Sequence, residues 1–168
     1  MKPLLYCVIF ISTLSLTQFI HKEAHADKLQ WLAQCAPYRT QVEAILSEEK
    51  VSLDYYFLLV AESKCTINAE SSEGAKGFWQ MVKSTAKHYG CSDPHDLESA
   101  TRAAAAYIKH LQESFKNFDD VIAAYNMGGH NLRKKGRSAS AQKLVHAVKY
   151  LKKLDSKHPN GTTKDKPQ

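Results

Sequence analysis

The sequence predicts a single all-helical domain, and three observations lead to this expectation. Its 168 residues, 43% hydrophobic and 24% charged, suit one globular domain with a substantial core. Strand-like alternation of apolar and polar residues is nowhere sustained. Apolar residues instead recur at helical spacing, first at Leu29, Leu32, Val42, Ile45 and Leu46. We therefore expect six to eight helices joined by short loops.

The first half of this domain is punctuated by serine and glycine. Ser52 is placed to cap a helix that runs from Leu53 to about Ser63. Gly74 and Gly77 bound a loop, either because the backbone approaches a ligand there or because the chain simply turns. Residues 78–89 then predict one or two short helices that end at the next glycine.

The second half is predicted to hold three more helices. An alanine-rich helix begins at Ser99 or slightly before it, and its small residues allow a neighbouring helix to approach closely. Asp119 or Asp120 is expected to cap a short helix over residues 121–125. The last helix, about 139–154, places Leu144, Val145, Val148 and Leu151 on one side and lysines on the other.

The N-terminal residues have the pattern of a signal peptide. Lys2 precedes an apolar run from residue 4 to residue 20, and the segment then ends in Ala24-His25-Ala26, which has small residues at the positions that a signal peptidase reads. We expect residues 1–26 to be removed, residues 27–155 to form the domain and residues 156–168 to be a disordered basic tail. A retained membrane anchor is the rival interpretation, but the run is short and interrupted by polar residues. The prediction is therefore export, periplasmic or secreted, with no stable membrane anchor after cleavage.

Charge and cysteine content restrict the partners. The formal charge is +6, or +5 once Lys2, Lys22 and Glu23 are removed, which suits an anionic partner such as a cell-wall polymer, although solubility alone explains it equally well. Basic residues with interleaved aromatics are only weakly present, so no nucleic acid is expected. The exported part has three cysteines, which implies one disulfide with three possible pairings. No metal or other cofactor is expected, because zinc-ligand spacing is missing.

Glu62 is the residue with the clearest chemical implication. It stands at the end of an apolar helical segment, where desolvation disfavours the charged carboxylate and raises the pKa. A carboxyl that retains its proton near neutral pH can protonate the leaving oxygen of a glycoside. The alternative is a glutamate that faces solvent, and position alone favours that alternative.

Blocks of sequence around Glu62 favour a catalytic glutamate over one that faces solvent. The chain resembles the lytic transglycosylases with a goose-lysozyme-like (SLT) catalytic domain, and among them the membrane-bound transglycosylase D type. The resemblance covers residues 52–130 and implies a lysozyme-like all-α fold. It rests on blocks in the family's order and spacing: Glu62-Ser63, Asn68-Ala69, Ser71, Gly74-Ala75-x-Gly77, Trp79-Gln80-Met81, Tyr89-Gly90, Ser99 to Ala104 and Ala124-Tyr125-Asn126-x-Gly128.

The resemblance implies a role for each matched position. Glu62 corresponds to the catalytic acid, which protonates the oxygen between N-acetylmuramic acid and N-acetylglucosamine and then assists attack by the muramyl C6 hydroxyl, giving a 1,6-anhydro product. Ser71 corresponds to a serine that contacts the substrate N-acetyl group. Gln80 and Met81 line the cleft, and Tyr125 and Asn126 lie opposite the acid. Trp79 is expected in the core more than as a sugar platform.

The chain also departs from its relatives. Thr66-Ile67, Met127 and His130 replace residues that are usual in the family. Cys65 and Cys91 stand where relatives place large apolar residues, and their joint replacement suggests a disulfide between Cys65 and Cys91, with Cys35 free or used between molecules.

The sequence is compatible with more than one function. A two-carboxylate glycosidase needs a partner acid, yet Glu70, Glu73, Asp119 and Asp120 do not match a position where the resemblance requires one. The lack of a matching partner acid fits the anhydro-forming reaction, which needs no carboxylate nucleophile. A lysozyme-like hydrolase and a non-catalytic wall-binding or assembly protein on the same fold are the rivals. The expected partners are peptidoglycan glycan strands, with the protein acting alone or with a secretion or conjugation apparatus.

Overall fold

The computed structural model describes the backbone of residues 3–158 and the side chains of residues 22–158, and it confirms the all-helical class. This part of the chain forms seven α-helices, a 3₁₀ turn at Leu53–Tyr55 and one small hairpin. The helices are α1 (Pro3–Glu48), α2 (Tyr56–Ser63), α3 (Lys83–His88), α4 (Leu97–Ser114), α5 (Phe118–Met127), α6 (Gly129–Lys135) and α7 (Ala139–Lys157), and the hairpin strands are β1 (Ala75–Lys76) and β2 (Met81–Val82).

Helix α1 extends through Pro37 and through the residue at which the signal peptide is predicted to end. Its C-terminal half packs against α2, α4 and α7, with Leu32, Val42 and Leu46 buried. Arg39 joins this helix to α7 through an ion pair of 2.7 Å with Asp155. Cleavage after residue 26 stays a prediction. None of the helices within the described residues is both long enough and apolar enough to cross a membrane.

Helix α2 is the centre of the core. Residues 56–60 are all buried, and the helix packs against α1 and α7. Ser52 caps the 3₁₀ turn that leads into α2, since its Oγ accepts a hydrogen bond from the Asp54 backbone N–H at 3.3 Å. The predicted cap is therefore confirmed, one short turn ahead of the α-helix itself.

Helices α4 and α5 begin at side-chain caps. Asp96 caps α4 by accepting from the Ser99 N–H at 2.8 Å, close to the predicted start. Asn117 caps α5 by accepting from the Asp120 N–H at 2.7 Å, so the expectation that an aspartate caps this helix is wrong. Asp119 and Asp120 lie instead in its first turn, where the helix dipole favours negative charge.

Three other segments differ from the sequence prediction. Residues 78–82 form a turn and strand β2 before the single short helix α3, because the Gly77 and Gln80 backbones adopt positive φ. Helix α6 was not predicted. Helix α7 continues to Lys157, so the first residues of the predicted tail are helical, and residues 159–168 lie outside the described residues.

Candidate active site

Glu62 lies in the last turn of α2, where the helix ends abruptly. Lys64 and Cys65 both adopt positive φ, 53° and 56°, which ends the helix at Ser63. The Ser63 hydroxyl stabilises this ending by donating to the Leu59 carbonyl at 3.4 Å and accepting from the Cys65 N–H at 3.0 Å. The glutamate is therefore held on a rigid, buried element and not on a loop.

The Glu62 carboxyl is partly buried at the base of a cleft. Burial raises its pKa from an ordinary value of 4.5 to about 7. Among the residues that the structure describes, no cation lies within ion-pair distance of this carboxyl to oppose the shift. The side chain can thus carry a proton near neutral pH, as expected from its place at the end of an apolar helix.

The cleft has a volume of about 390 Å³ and brings all six predicted catalytic and substrate-binding residues together. The hairpin forms one wall, and the C-terminal end of α5 contributes the residues of the other. It also contains residues that the sequence pattern does not assign to it. The predicted members are Glu62, Ser71, Gln80, Met81, Tyr125 and Asn126, and the additional ones include Glu73, Val82, Thr85, Tyr107 and Met127.

Ser71 and Gln80 organise the loop that forms the hairpin wall. The Ser71 Oγ accepts hydrogen bonds from the backbone N–H groups of Glu73 and Ala75, at 3.3 and 3.1 Å, which leaves its own proton available to a ligand. The Gln80 amide nitrogen donates to the carbonyls of Ala69 and Gly77, at 3.1 and 2.9 Å. Both side chains therefore shape the loop, and both line the cleft.

Gly77 lets this loop pack directly against the segment before α4. Its φ is +71°, and a Cβ at this position would lie 1.7 Å from the Pro94 carbonyl oxygen. Only glycine permits this approach. Gly74, by contrast, has a φ of +77° but open space around it, so it serves the turn alone.

Three tyrosines stack from the cleft outward. Tyr125, Tyr107 and Tyr89 have successive ring centroids 5.2 and 5.0 Å apart. The Tyr125 hydroxyl donates to the Trp79 carbonyl at 2.9 Å. Burial, and then the charge of the nearby Glu62, raises the pKa of Tyr125 well above its usual range, so this phenol remains protonated. Tyr107 was missed because its alanine-rich surroundings indicate only a packing face.

Trp79 is a core residue, as expected. It is fully buried, and its indole N–H donates to the Thr101 Oγ1 at 3.0 Å. Asn126 is exposed at the far side of the cleft, where its Oδ1 accepts from the Ser140 hydroxyl at 3.2 Å. The amide N–H groups of Asn126 are therefore the donors that face a ligand in this part of the site.

The four carboxylates considered as partners for Glu62 separate into two groups. Glu70 pairs with Lys76 at 3.1 Å, and Asp119 and Asp120 pair with Arg137 at 3.7 and 2.8 Å, all away from the cleft lining. Glu73 alone of the four lines the cleft together with Glu62. Its place in a loop without regular structure explains why spacing did not identify it.

The predicted Cys65–Cys91 disulfide is wrong. Cys65 is bonded to Cys35 on α1, with the two Cα atoms 5.3 Å apart, and both residues are buried. Cys91 is a half-buried free thiol whose Sγ accepts from the Ser99 hydroxyl at 3.9 Å. The Cys65–Cys91 pairing follows from two positions within the family pattern, whereas Cys35 lies before residue 52, where that pattern begins. The bond attaches α1 to the chain three residues after Glu62.

Comparison with known proteins identifies the family of this domain. The family described as Transglycosylase SLT domain matches residues 48–148. The chain belongs to this family. The SLT domain occupies more than half of the sequence, and its match ends before the last turns of α7.

Curated relatives share the SLT domain over part of their length. Membrane-bound lytic murein transglycosylase F of Desulfosudis oleivorans is 34% identical over 70 residues, 37% of this chain and 15% of that protein. Membrane-bound lytic murein transglycosylase D of Escherichia coli K12 is 26% identical over 99 residues, 55% of this chain and 22% of that protein. The chain thus spans less than a quarter of the length of these relatives.

A solved structure supports the fold. An inactive mutant of the lytic transglycosylase Slt from Pseudomonas aeruginosa superimposes with a TM-score of 0.59 at 20% identity, covering 73% of this chain and 25% of that one. The share of this chain that superimposes is larger than the SLT match at residues 48–148, so the shared fold extends beyond that match.

Proposed function

We propose that this protein is an exported peptidoglycan lytic transglycosylase that cleaves the β-1,4 bond between N-acetylmuramic acid and N-acetylglucosamine. The observation that supports it most directly is Glu62, a carboxyl with a pKa of about 7 and no cationic partner in the described structure, at the base of a cleft in an SLT domain. Such a group can donate a proton first and accept one later.

The proposed reaction needs only this one acid. Glu62 protonates the glycosidic oxygen as the bond to the muramyl C1 breaks and the ring develops oxocarbenium character. The muramyl C6 hydroxyl then attacks C1, and the Glu62 carboxylate removes the hydroxyl proton. The products are a 1,6-anhydromuramyl end and a free N-acetylglucosamine end. No water is consumed, and the enzyme regains its proton.

The surrounding groups fit this substrate. The Ser71 hydroxyl and the Asn126 amide offer hydrogen-bond donors to acetamide and hydroxyl oxygens, while Met81 and Tyr107 provide apolar surface for sugar faces. Peptidoglycan lies outside the cytoplasm, which agrees with the predicted export. Cooperation with a secretion or conjugation apparatus stays a prediction from sequence.

Digestion of purified sacculi with mass spectrometry of the products tests the proposal. The wild-type protein should release fragments that end in anhydromuramic acid. Glu62→Gln keeps the shape of the side chain but lacks the acid, so we expect about a 10²- to 10⁴-fold slower reaction. Undiminished cleavage by this variant would place the acid elsewhere. Absence of cleavage by the wild type with retained binding would favour the non-catalytic wall-binding alternative.

A hydrolase is the second candidate, and Glu73 is the observation that favours it. In inverting glycosidases a second carboxylate activates water on the opposite face of the sugar. Digestion in ¹⁸O-labelled water reports the fraction of hydrolytic ends. If Glu73 performs this role, Glu73→Gln should abolish that fraction, whereas Glu70→Gln, which alters a carboxylate outside the cleft, should leave it unchanged.

A further inference from the structure

A second cavity adjoins the cleft on the other side of the hairpin. It has a volume of about 480 Å³, larger than the cleft and within the range of sites for small ligands. We call it the lysine groove, after Lys76, Lys83 and Lys87 in its lining. Neither the family match nor the proposed reaction assigns it a role.

The lysine groove is electropositive. Lys76 is partly neutralised by Glu70 at 3.1 Å, but Lys83 and Lys87 have no ion-pair partner among the described residues. No carboxylate belongs to its lining. The nearby Asp93 accepts a hydrogen bond from the His95 backbone N–H at 2.8 Å.

Lys83 and Lys87 are four residues apart on α3, so their charges lie on one face of the helix. Like charges at this spacing destabilise a helix by a few tenths of a kcal/mol. An anion bound between them would remove this repulsion. The pair therefore favours a ligand with carboxylate or phosphate groups at the edge of the groove.

Met81 connects the groove to the cleft. This side chain is 4% exposed and lines both cavities, and strand β2, to which it belongs, runs between them. A sugar bound beside Met81 would need only one substituent directed past the hairpin to reach the lysines. A muramyl residue has such a substituent, the lactyl ether that bears the peptide stem, and the stem carries free carboxylates.

We propose that the lysine groove binds the anionic peptide stem of the muramyl residue held in the cleft. The inference rests on the proposed function for its choice of glycan. It makes Lys83 and Lys87 specificity-determining residues, which distinguish peptide-bearing strands from bare glycan, while the chemistry at Glu62 is independent of them.

The test compares two substrates and two double variants. The substrates are peptide-bearing glycan strands and the same strands stripped of their stems by an amidase. Lys83→Gln/Lys87→Gln should raise KM about three- to tenfold on peptide-bearing strands, the effect of losing two exposed charge contacts, and leave KM on stripped strands unchanged. Lys153→Gln/Lys157→Gln removes two lysines at the same spacing on α7 and should change neither value.

Binding to Glu62→Gln protein separates this inference from the proposed function. Calorimetric titration should show tighter binding of peptide-bearing strands than of stripped strands, and the added Lys83→Gln/Lys87→Gln change should abolish the difference. That result supports the groove even if the wild type shows no turnover. Three results would overturn the inference. The first is an equal loss of binding to both kinds of strand in the Lys83→Gln/Lys87→Gln variant, and the second is an equal effect of the α7 variant. The third is no preference for peptide-bearing strands in a protein that cleaves glycan. Matching circular dichroism of the variants verifies folding.

Discussion

Glu62 combines a chemical advantage with a cost in stability. Its pKa is higher in the folded protein than the ordinary value of 4.5, so the folded state favours the protonated form. Below pH 4.5 the carboxyl is protonated in both the folded and the unfolded chain. As the pH rises from 4.5 to about 7, the carboxyl ionises in the unfolded chain but stays largely protonated in the folded one, so the folded state loses stability over this range, and the loss is complete above about pH 7.

We therefore expect Glu62→Gln to stabilise the protein in a pH-dependent way. The free energy of unfolding of the variant should exceed that of the wild type by about 3 kcal/mol at pH 8, because glutamine does not ionise. The difference should shrink toward zero near pH 4. Urea unfolding at a series of pH values measures it. A difference that stays constant with pH would contradict the assigned burial.

The same pKa predicts the pH dependence of the reaction. Because the acid must be protonated when the glycosidic bond breaks, kcat/KM should fall as the pH rises through about 7, tenfold for each further pH unit. Turbidity assays on sacculi at constant ionic strength give this profile. A plateau that continues above pH 9 would show that Glu62 is not the proton donor.

Tyr125 supports the cleft through its buried hydroxyl. Tyr125→Phe should lower the free energy of unfolding by about 1 to 3 kcal/mol, since the Trp79 carbonyl loses its donor in a buried position. Tyr107→Phe is the matched control, because that hydroxyl makes only a long contact of 3.4 Å with the Ala124 carbonyl. Chemical denaturation compares the two, and equal effects would contradict the assigned importance of the Tyr125 bond.

The hairpin of strands β1 and β2 depends on one glycine. Gly77→Ala should lower the free energy of unfolding by about 2 to 4 kcal/mol, since the new Cβ collides with the Pro94 carbonyl and the backbone remains at positive φ. Activity should fall with it, because the hairpin forms a wall of the cleft. Thermal and urea unfolding, with the sacculus assay, measure both effects.

Gly74→Ala is the control for this change. It has the same sign of φ but open space around it, so only the conformational cost of about 1 kcal/mol is expected. If both variants lost the same stability, the collision at Pro94 would not be the cause.

The elements show how far sequence reasoning extends. Helix α7 and the alanine-rich α4 were predicted closely, because their apolar periodicity and caps are local signals. The hairpin was not predicted, since its strands have only two residues each and depend on the positive φ of Gly77 and Gln80. Asn117 was overlooked as a cap because two aspartates follow it and resemble caps themselves.

The candidate active site shows the same division between local signals, which the sequence reveals, and tertiary contacts, which it does not. Glu62, Ser71, Gln80, Met81, Tyr125 and Asn126 were identified because they occur in ordered blocks of sequence, and the fold brings them to one cleft. Glu73 and Tyr107 reach the cleft through tertiary packing, which leaves no periodic trace. The disulfide prediction was wrong for a related reason. Any two of the three cysteines could pair on sequence grounds, and only the path of α1 brings Cys35 to Cys65.

The Cys35–Cys65 disulfide ties the long first helix of the molecule, α1, to the segment that follows α2, the helix that carries Glu62. It closes a segment of 30 residues, which on chain-entropy grounds is worth about 3.5 kcal/mol. Cys35→Ser should lower the free energy of unfolding by about that amount under oxidising conditions and have no further effect in dithiothreitol. Cys91→Ser, which removes the free thiol, is the control and should behave as the wild type.

The bond also makes the folding unit longer than the SLT match. A fragment cut at residues 48 and 148 would leave Cys65 without its partner, three positions from Glu62, and would remove the buried Leu32 and Val42 from the core. Such a fragment would expose a sulfhydryl prone to intermolecular crosslinking. Recombinant forms of this enzyme candidate should therefore begin well ahead of Cys35 and be purified without reductant.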